Sequence, residues 1–279
     1  MLRTALLIAF CFLGGIASLT AQLSVPYFPG TRAQSMGGTG ITATGTRALF
    51  LNPAGLARTK AKTFELGVWQ PFGLAELNHL NAAAALPLKS GTFGLSINYF
   101  GFDLYNEQRI GLAYGRRLAE RFYLGAQLNY LALNIPEYGN RGLVSFEIGL
   151  QSDISPTVHL AAVVRNPVRQ ELVEAIQLPS VLAVGVDYEP SSKTQLLLEV
   201  EKAIDRPLRL RAGAEYRFVD ALQLRIGLRT APAEPTFGLG IRPGTRLRID
   251  LAGAVHPTLG WSTGLSVGYV WGDRPSNTK

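Results

Sequence analysis

TLGWSTGLSVGYVW, residues 258–271, places a large apolar side chain at almost every second position, with glycine or serine between most of them. Leu265, Val267 and Tyr269 are three such apolar positions in a row, separated by one serine and one glycine. A period of two residues is that of a β-strand, in which successive side chains point to opposite faces. The segment is therefore predicted to be a strand with one apolar face and one face of small and polar residues.

The same alternation recurs in about fourteen segments along the chain. Most of them are close to the roughly ten residues with which a tilted strand crosses an outer membrane. An even number of antiparallel strands returns the chain to the side from which it started. We predict an all-β fold, a transmembrane antiparallel β-barrel of about 14 strands. The predicted strands lie near residues 63–69, 79–88, 92–100, 107–116, 121–133, 142–152, 157–165, 181–189, 194–201, 207–218, 221–229, 236–242, 245–255 and 258–271.

The links between these segments alternate between short and longer. Outer-membrane barrels have short periplasmic turns and longer external loops, so the alternation favours a barrel with both chain ends in the periplasm. A soluble β-sandwich would show the same alternation within its strands but has no reason for this order of links. Short turns are predicted at residues 89–91, 119–120, 155–156, 190–192, 219–220 and 243–244, and longer links at 71–78, 102–106, 134–140, 167–180 and 230–235.

Aromatic residues near the predicted strand ends fit the interfacial girdles of a membrane barrel. Pro87, inside an otherwise regular strand, is compatible with a local break in pairing and therefore with a lateral gap in the wall. The predicted girdle residues are Trp69, Tyr99, Phe100, Tyr130, Tyr188, Tyr216, Phe218, Tyr269 and Trp271.

Composition and the first residues narrow the class of protein. The chain has 279 residues, 47% hydrophobic and 17% charged, and a mean hydropathy of +0.14. After residue 22 no apolar run approaches the roughly 20 residues of a transmembrane helix. Residues 1–21 are typical of a cleaved signal peptide, with Arg3, an apolar stretch from Ala5 to Leu13 and small residues before Gln22. We expect an exported protein of the outer membrane of a Gram-negative bacterium.

Export and the scarcity of reactive residues exclude several functions. Cys11, the only cysteine, lies in the predicted signal peptide, so the exported chain is expected to have no disulfide and no cysteine chemistry. A formal net charge of +7 would suggest nucleic acid as the partner of a cytosolic protein, but export argues against it. His79, His159 and His256 are far apart in the sequence, so no metal site, cofactor or catalytic residue is predicted, and the protein is not expected to be an enzyme.

The later strands carry charged residues on the polar face, and acidic and arginine side chains of adjacent strands oppose one another. A charge on the lipid face near the membrane midplane costs about 2–4 kcal/mol, so these residues are predicted to point into the lumen. Two interpretations stay open: a salt-bridge network that stiffens the barrel, or an arginine surplus that receives an anionic head group. This predicted lumen charge network consists of Glu199, Glu201, Arg209, Arg211, Glu215, Arg225, Arg229, Arg246, Arg248 and Asp250.

Residues 22–61 lack the alternating pattern and contain two unusual blocks. The first is GTRAQSMGGTGITA, residues 30–43, and the second is ALFLNPAGLA, residues 48–57. Asn-Pro starts turns and glycine permits tight backbone, which explains parts of these blocks but not the whole string. The residues that characterise the blocks are Met36, Gly37, Gly38, Gly40, Asn52, Pro53 and Gly55.

The two blocks resemble the N-terminal region of the FadL-like outer-membrane proteins, which include long-chain fatty-acid transporters and the PorV-type subunits of the type IX secretion system. The resemblance implies a fourteen-stranded barrel with its N-terminal segment folded inside as a plug. It divides the chain into a signal peptide at residues 1–21, a plug at 22–61 and a barrel at 62–279. The chain departs from the family at residues 44–47, where TGTR replaces the usual acidic residues, and in a tail after Trp271.

Two functions follow from this resemblance. The first is a transporter or carrier of small hydrophobic or amphipathic molecules, which in the fatty-acid transporters bind in the lumen near the plug. The alternative is an accessory or scaffold barrel of a PorV-like secretion system, in contact with translocon subunits. Short predicted external links favour the alternative. Outer-membrane lipid is an expected partner in both cases.

Overall fold

The computed structural model describes residues 28–136, 139–168, 170–173, 176–204 and 206–271. The predicted signal peptide at residues 1–21 and the tail after Trp271 lie outside the described residues. In the part of the chain that the structure describes, no helix is long and apolar enough to span a bilayer.

Fourteen antiparallel strands close into one barrel, which confirms the predicted fold. The barrel closes between its first and last strands, with Lys62 opposite Trp271. Two further strands form a separate hairpin in the link after the seventh strand. The strands are β1 (Lys62–Gln70), β2 (His79–Leu88), β3 (Gly91–Phe102), β4 (Tyr105–Ala119), β5 (Phe122–Ile135), β6 (Gly139–Ser155), β7 (Val158–Arg165), β8 (Gln170–Val173) and β9 (Ile176–Leu178) of the hairpin, β10 (Val181–Ser191), β11 (Thr194–Ala203), β12 (Arg209–Val219), β13 (Leu222–Arg229), β14 (Glu234–Ile241), β15 (Leu247–His256) and β16 (Gly260–Trp271).

The large apolar side chains of the barrel strands point outward, and the small and polar ones point into the lumen. In β16, Trp261 is 61% exposed and Trp271 is 54% exposed, whereas Ser262 and Ser266 are each 2% exposed. The strand period places alternate residues on opposite sides of the wall. The outer surface of the barrel is therefore apolar, and the polar groups are gathered inside.

The prediction of the aromatic girdles is wrong for two residues. Trp69 is buried in the lumen, where its ring stacks on Phe28 at 6.3 Å between centroids. Phe100 also points inward and contacts the ring of His79 at 4.6 Å. Both residues stand at inward-facing positions of the strand. The two-residue period determines on which side of the wall a residue lies, regardless of its side chain. Most other predicted girdle residues are exposed on the outer wall: Tyr130, Tyr188, Tyr216, Phe218 and Trp271.

The predicted difference between short and longer links is only partly correct. Residues 71–78 and 166–180 form long links, as expected, but β3 and β4 are separated by residues 103–104 alone. The reason is that the strands extend beyond their predicted ends, since β6 has 17 residues and β4 has 15. The predicted tight turn at residues 243–244 is instead a link over 242–246, because β15 begins at Leu247.

The barrel wall is continuous at Pro87. The ladder between β2 and β3 runs through the pair Pro87–Thr92 without a register shift. On the other side, the last pair between β2 and β1 is Ala85–Thr63, so Pro87 lies beyond the end of β1. Proline has no backbone N–H, so at such an edge it leaves no hydrogen-bond donor without a partner. Pairing on the β1 side therefore ends before Pro87, while the ladder with β3 is not interrupted there.

Candidate functional site

The lumen contains the N-terminal segment, residues 28–61, of which most side chains are buried. The segment has two single-turn helices, α1 (Thr31–Gln34) and α2 (Ala48–Leu51). Short 3-10 helices occupy Gly45–Arg47 and Pro53–Arg58. Such short helices gain little stability from their own hydrogen bonds, so contacts with the barrel must hold the segment in place.

The first sequence block contacts the wall through its backbone. Gly37, Gly38 and Gly40 have φ values of 72°, 80° and 130°, which only glycine adopts without strain. The Gly37 N–H donates to Thr236 Oγ1 at 2.8 Å, and the Ile41 N–H donates to Glu199 Oε1 at 2.8 Å. The Gly40 N–H donates to the same carboxylate oxygen. The glycines thus let the backbone turn so that consecutive N–H groups reach polar side chains of the wall.

Inward-facing glycines of the wall make room for this backbone. A Cβ atom at Gly227 would overlap Met36 and Gly37, and one at Gly213 would overlap Met36 and Thr39. Gly213 and Gly227 lie directly opposite each other on β12 and β13. Sequence reasoning missed these wall glycines, although their place on the small-residue face of the strands is visible in the alternation.

The second block is anchored by Asn52, which is fully buried. Its Nδ2 donates to the carbonyl oxygens of Leu150 and Ala162, both at 3.2 Å, and its Oδ1 accepts from the Ala54 N–H at 3.0 Å. Asparagine has both a donor and an acceptor in one short side chain, which these contacts require. Pro53 begins the following 3-10 helix, where a missing N–H costs nothing.

Gly55 brings the two blocks together. A Cβ atom at this position would overlap the carbonyl oxygen of Ala43 and contact Ala48. Gln151 of β6 supports the same region, because its Nε2 donates to the carbonyl oxygens of Ile41 at 2.9 Å and Ala43 at 3.2 Å. The predicted motif residues of both blocks therefore lie in one connected set of contacts inside the barrel.

Two groups of ion pairs link the lumen charge network to the segment. Glu215 accepts from Arg225 at 2.6 Å and from Arg32 of the segment at 3.0 Å, and Arg225 also pairs with Asp250 at 2.7 Å. In the second group Glu201 pairs with Arg211 at 2.6 Å.

Arg211 also reaches the segment, through a hydrogen bond from its Nη1 to the Gly38 carbonyl oxygen at 3.3 Å. Glu199 does not pair with Arg211, the arginine opposite it on the adjacent strand. Its carboxylate accepts backbone N–H groups of the segment instead, and Arg211 pairs with Glu201.

The remaining residues of the predicted network take separate places. Arg229 pairs with Glu234 at 2.6 Å and donates to Gln34 of the segment at 2.9 Å. Arg248 lies inside the barrel beside Gly268. Arg246 is exposed and precedes β15, so its predicted position on a lumen-facing strand is wrong.

A cavity of about 330 Å³ lies next to the N-terminal segment, towards the end of the barrel that is opposite to Lys62 and Trp271. This volume is at the lower end of the range of small-molecule sites. Phe28 and Gln34 of the segment form part of the lining. The cations of the lining are Arg109, Arg165, Arg206, Arg209 and Arg211, and its anions are Glu147 and Glu201. The apolar or neutral lining residues include His79, Leu131, Ser145, Leu178, Pro179, Val181 and Ala203. We call this space the lumen cavity.

The lumen cavity combines apolar surface with an excess of positive charge. Arg165, which sequence reasoning missed, joins the cavity to the segment, because its Nη2 donates to the Leu51 carbonyl oxygen at 2.7 Å and its Nη1 lies 3.3 Å from Glu201. Arg109 pairs with Glu147 in the same region. Arg109, Glu147 and Arg165 occupy inward positions on β4, β6 and β7, and the alternation along these strands could have predicted their place in the lumen. Among the described residues no group of three His, Cys, Asp or Glu side chains could hold a metal ion.

Solved structures of the FadL-like type have the same barrel fold as this chain. A FadL homologue from Pseudomonas aeruginosa shares 13% identity with this chain, over 89% of it and 99% of the homologue, with a TM-score of 0.69. The toluene transporter TodX from Pseudomonas putida also shares 13% identity, over 89% of this chain and all of TodX (100%), with a TM-score of 0.67.

The toluene transporter TbuX from Ralstonia pickettii gives a TM-score of 0.64 at 14% identity, over 86% of this chain and 97% of TbuX. No protein-family model and no curated protein matches the sequence. At this level of identity the similarity establishes a FadL-like barrel fold, which confirms that part of the predicted resemblance.

Proposed function

We propose that this chain is an outer-membrane barrel that carries small hydrophobic or amphipathic molecules. The observation that carries the proposal is the lumen cavity, which is lined partly by apolar side chains and ends on the N-terminal segment. The apolar outer wall is what a barrel embedded in a bilayer requires. Barrels of the same fold are described as a toluene transporter and a monoaromatic hydrocarbon channel, which supports the same class of ligand here.

In this proposal the apolar body of the ligand contacts Phe28, Leu131 and Val181, and an anionic group, where the ligand has one, faces Arg209 and Arg211. Apolar contact supplies affinity in proportion to the buried area, while the arginines favour amphipathic over purely apolar molecules. No catalysed step is part of the proposal.

The segment acts as a plug in this proposal, and cavity residues hold it. Arg211 donates to Gly38 and Arg165 donates to Leu51, so each of these arginines contacts both the cavity and one sequence block. An anionic ligand group that competes for the two guanidinium groups weakens both contacts. Occupancy of the cavity would thereby favour movement of the plug, as expected when a ligand binds one of two states more tightly.

The proposal is tested by filling the cavity. Leu131→Trp places a large ring in the lining, whereas Leu128→Trp, on the same strand, places it on the exposed outer wall. We expect Leu131→Trp to abolish most binding of 1-N-phenylnaphthylamine and of oleate, measured by fluorescence and by isothermal titration. Leu128→Trp serves as the control and should bind like the unmodified protein. Equal binding by both variants would contradict the proposal.

The plug role is tested separately by single-channel conductance in planar bilayers. Deletion of residues 30–57 removes both sequence blocks and should produce a large, stable increase in conductance. Unchanged conductance after the deletion would rule out a plug.

The short link at residues 103–104 favours the second candidate, an accessory barrel of a secretion system, because it leaves little external structure for capturing a ligand between β3 and β4. Mild-detergent purification from the native membrane, followed by mass spectrometry of proteins and lipids, separates the two. Near-stoichiometric recovery of a secretion channel would support the accessory role, and a consistent hydrophobic molecule without such a channel would support transport.

A further inference from the structure

A groove of about 530 Å³ lies on the outer wall, at the end of the barrel where β1 begins and β16 ends. Its sides are formed by exposed or half-buried apolar side chains, and its rim carries one cation, Lys62, beside Trp271. The apolar lining consists chiefly of Phe64, Ala84, Leu86, Phe93, Leu95 and Leu112. We call this surface the wall groove.

The sequence of β2 explains why the wall is recessed here. Ala82 and Ala84 occupy outward positions between Leu80 and Leu86, so two short side chains stand between two large ones. The lumen side of the same strands is filled, because Leu49 and Leu56 of the segment pack against Gly94. The wall groove is therefore a surface feature, separated from the lumen cavity.

The strand ends also shape the groove. Since the last pair between β1 and β2 is Thr63–Ala85 and β1 begins at Lys62, Pro87 and Leu88 extend past the first strand without a partner on that side. Pro87 lies on this free edge and blocks the addition of another strand, a common protection of sheet edges. An occupant of the groove must therefore be held by apolar contact and by charge, not by strand pairing.

Two further cations lie at the same end of the barrel, on the neighbouring strands. Besides Lys62, Lys89 lies in the turn between β2 and β3, and Arg116 lies on the outward face of β4, two residues after Tyr114. None of these three cations takes part in an ion pair within the described part of the chain. An apolar groove that ends at Lys62, with two more cations on the neighbouring strands, matches a lipid with an anionic head group.

We propose that the wall groove binds one anionic phospholipid, with an acyl chain over Ala84 and the phosphate at Lys62. The proposal rests on the membrane location given under the proposed function. A phospholipid supplies both the apolar chain and the negative charge.

Tryptophan fluorescence in lipid vesicles tests this site directly. In a Trp261→Phe variant, Trp271 is the outward-facing indole, since Trp69 is buried in the lumen. The variant is reconstituted in dioleoylphosphatidylcholine that contains a minor fraction of either brominated phosphatidylglycerol or brominated phosphatidylcholine. We expect brominated phosphatidylglycerol to be preferred about fivefold, the effect of one cation near a membrane surface.

Two substitutions separate charge from shape. Lys62→Gln should lower the ratio of quenching by brominated phosphatidylglycerol to quenching by brominated phosphatidylcholine towards one. Lys193→Gln, in the turn between β10 and β11 at the same end of the barrel, is the control and should leave this ratio unchanged. Ala84→Leu should fill the groove and reduce quenching by both brominated lipids. Ala126→Leu, exposed on the outward face of β5, is its control.

Equal quenching by the two brominated lipids in the Trp261→Phe background would overturn the proposal, and so would an unchanged preference in Lys62→Gln or unchanged quenching in Ala84→Leu. A Trp271→Phe variant distinguishes this failure from failure of the membrane location. It reports on Trp261, which is exposed near the other end of the barrel. If Trp261 is quenched without a head-group preference, the barrel is embedded as proposed. If brominated lipids quench neither indole, the membrane location itself is wrong.

Discussion

The two halves of the N-terminal segment are held in the barrel by different forces. The half around α2 packs Leu49 and Leu56 into an apolar cluster with Ala83, Ala85 and Ala113 of the wall. Apolar contact has no preferred direction and depends mainly on the area removed from water. Asn52 and Arg165 add directed hydrogen bonds to this half, but its helix α2 forms no ion pair with the wall in the described part of the chain.

The half around α1 is held by charge and by directed hydrogen bonds. Arg32 is only 8% exposed and pairs with Glu215, which in turn pairs with the buried Arg225. A buried ion pair depends on geometry, and removal of one partner leaves an uncompensated charge. We therefore expect the α1 half to set the position of the segment, while the α2 half supplies mainly apolar adhesion. Substitutions on the two sides should therefore have different consequences.

The largest effect is expected for Glu215→Ala. The change leaves Arg32 and Arg225 without this carboxylate inside the barrel, and the free energy of unfolding should fall by about 4 kcal/mol. Urea titration of the protein in lipid vesicles, followed by tryptophan fluorescence, measures this loss. The exposed Glu76→Ala is the control. A loss of unfolding free energy in Glu215→Ala below that in Glu76→Ala would show that the ion pairs do not position the α1 half.

A smaller loss, about 3 kcal/mol, is expected for Leu49→Ala on the apolar side. Leu49 is 2% exposed, so truncation removes buried apolar area and leaves a cavity. Leu128→Ala, which truncates an exposed side chain of the outer wall, is the matched control. Single-channel conductance sharpens the comparison: we expect it to rise in Glu215→Ala and to stay unchanged in Leu49→Ala. A rise in both variants would mean that the two halves position the segment equally.

A wall glycine tests how closely the backbone of the segment approaches the strands. Gly149→Ala would bring a methyl group into contact with the side chain of Asn52, and overpacking of this kind costs about 1–3 kcal/mol. Gly268→Ala is the control, since the atoms nearest to its Cβ belong to the flexible Arg248 side chain. Thermal unfolding monitored by heat-modifiable gel mobility compares the two. Equal midpoints would show that the segment yields easily at Asn52.

The smallest effect is expected at the end of the segment, where Arg58 pairs with Asp153 at 3.1 Å and lies over the ring of Tyr123. Both charged side chains are partly exposed, so Arg58→Gln should cost less than about 1 kcal/mol, and the cost should shrink at high salt. Urea titrations at low and high ionic strength provide the measurement. A loss as large as that of Glu215→Ala would contradict the distinction between buried and exposed ion pairs.

Much of the barrel was predictable because a strand pattern is local. Alternation of the kind seen in residues 258–271 places every second side chain on one face, and each of the fourteen predicted segments overlaps a strand of the barrel. Strand ends were less predictable, since the ladder from β3 to β6 continues through residues expected to be loops. Trp69 and Phe100 show a related limit: the period decides their face, although their chemistry suits the membrane interface.

The class of fold, the strand number and the polar interior follow from the order of apolar and polar residues along each strand. Tertiary structure alone decided which charges meet. Glu201 lies opposite Arg209 in the ladder but pairs with Arg211, and Glu199 binds backbone N–H groups of the segment. The physical reason is that long side chains reach diagonal neighbours and that the segment, distant in sequence, competes for the same carboxylates.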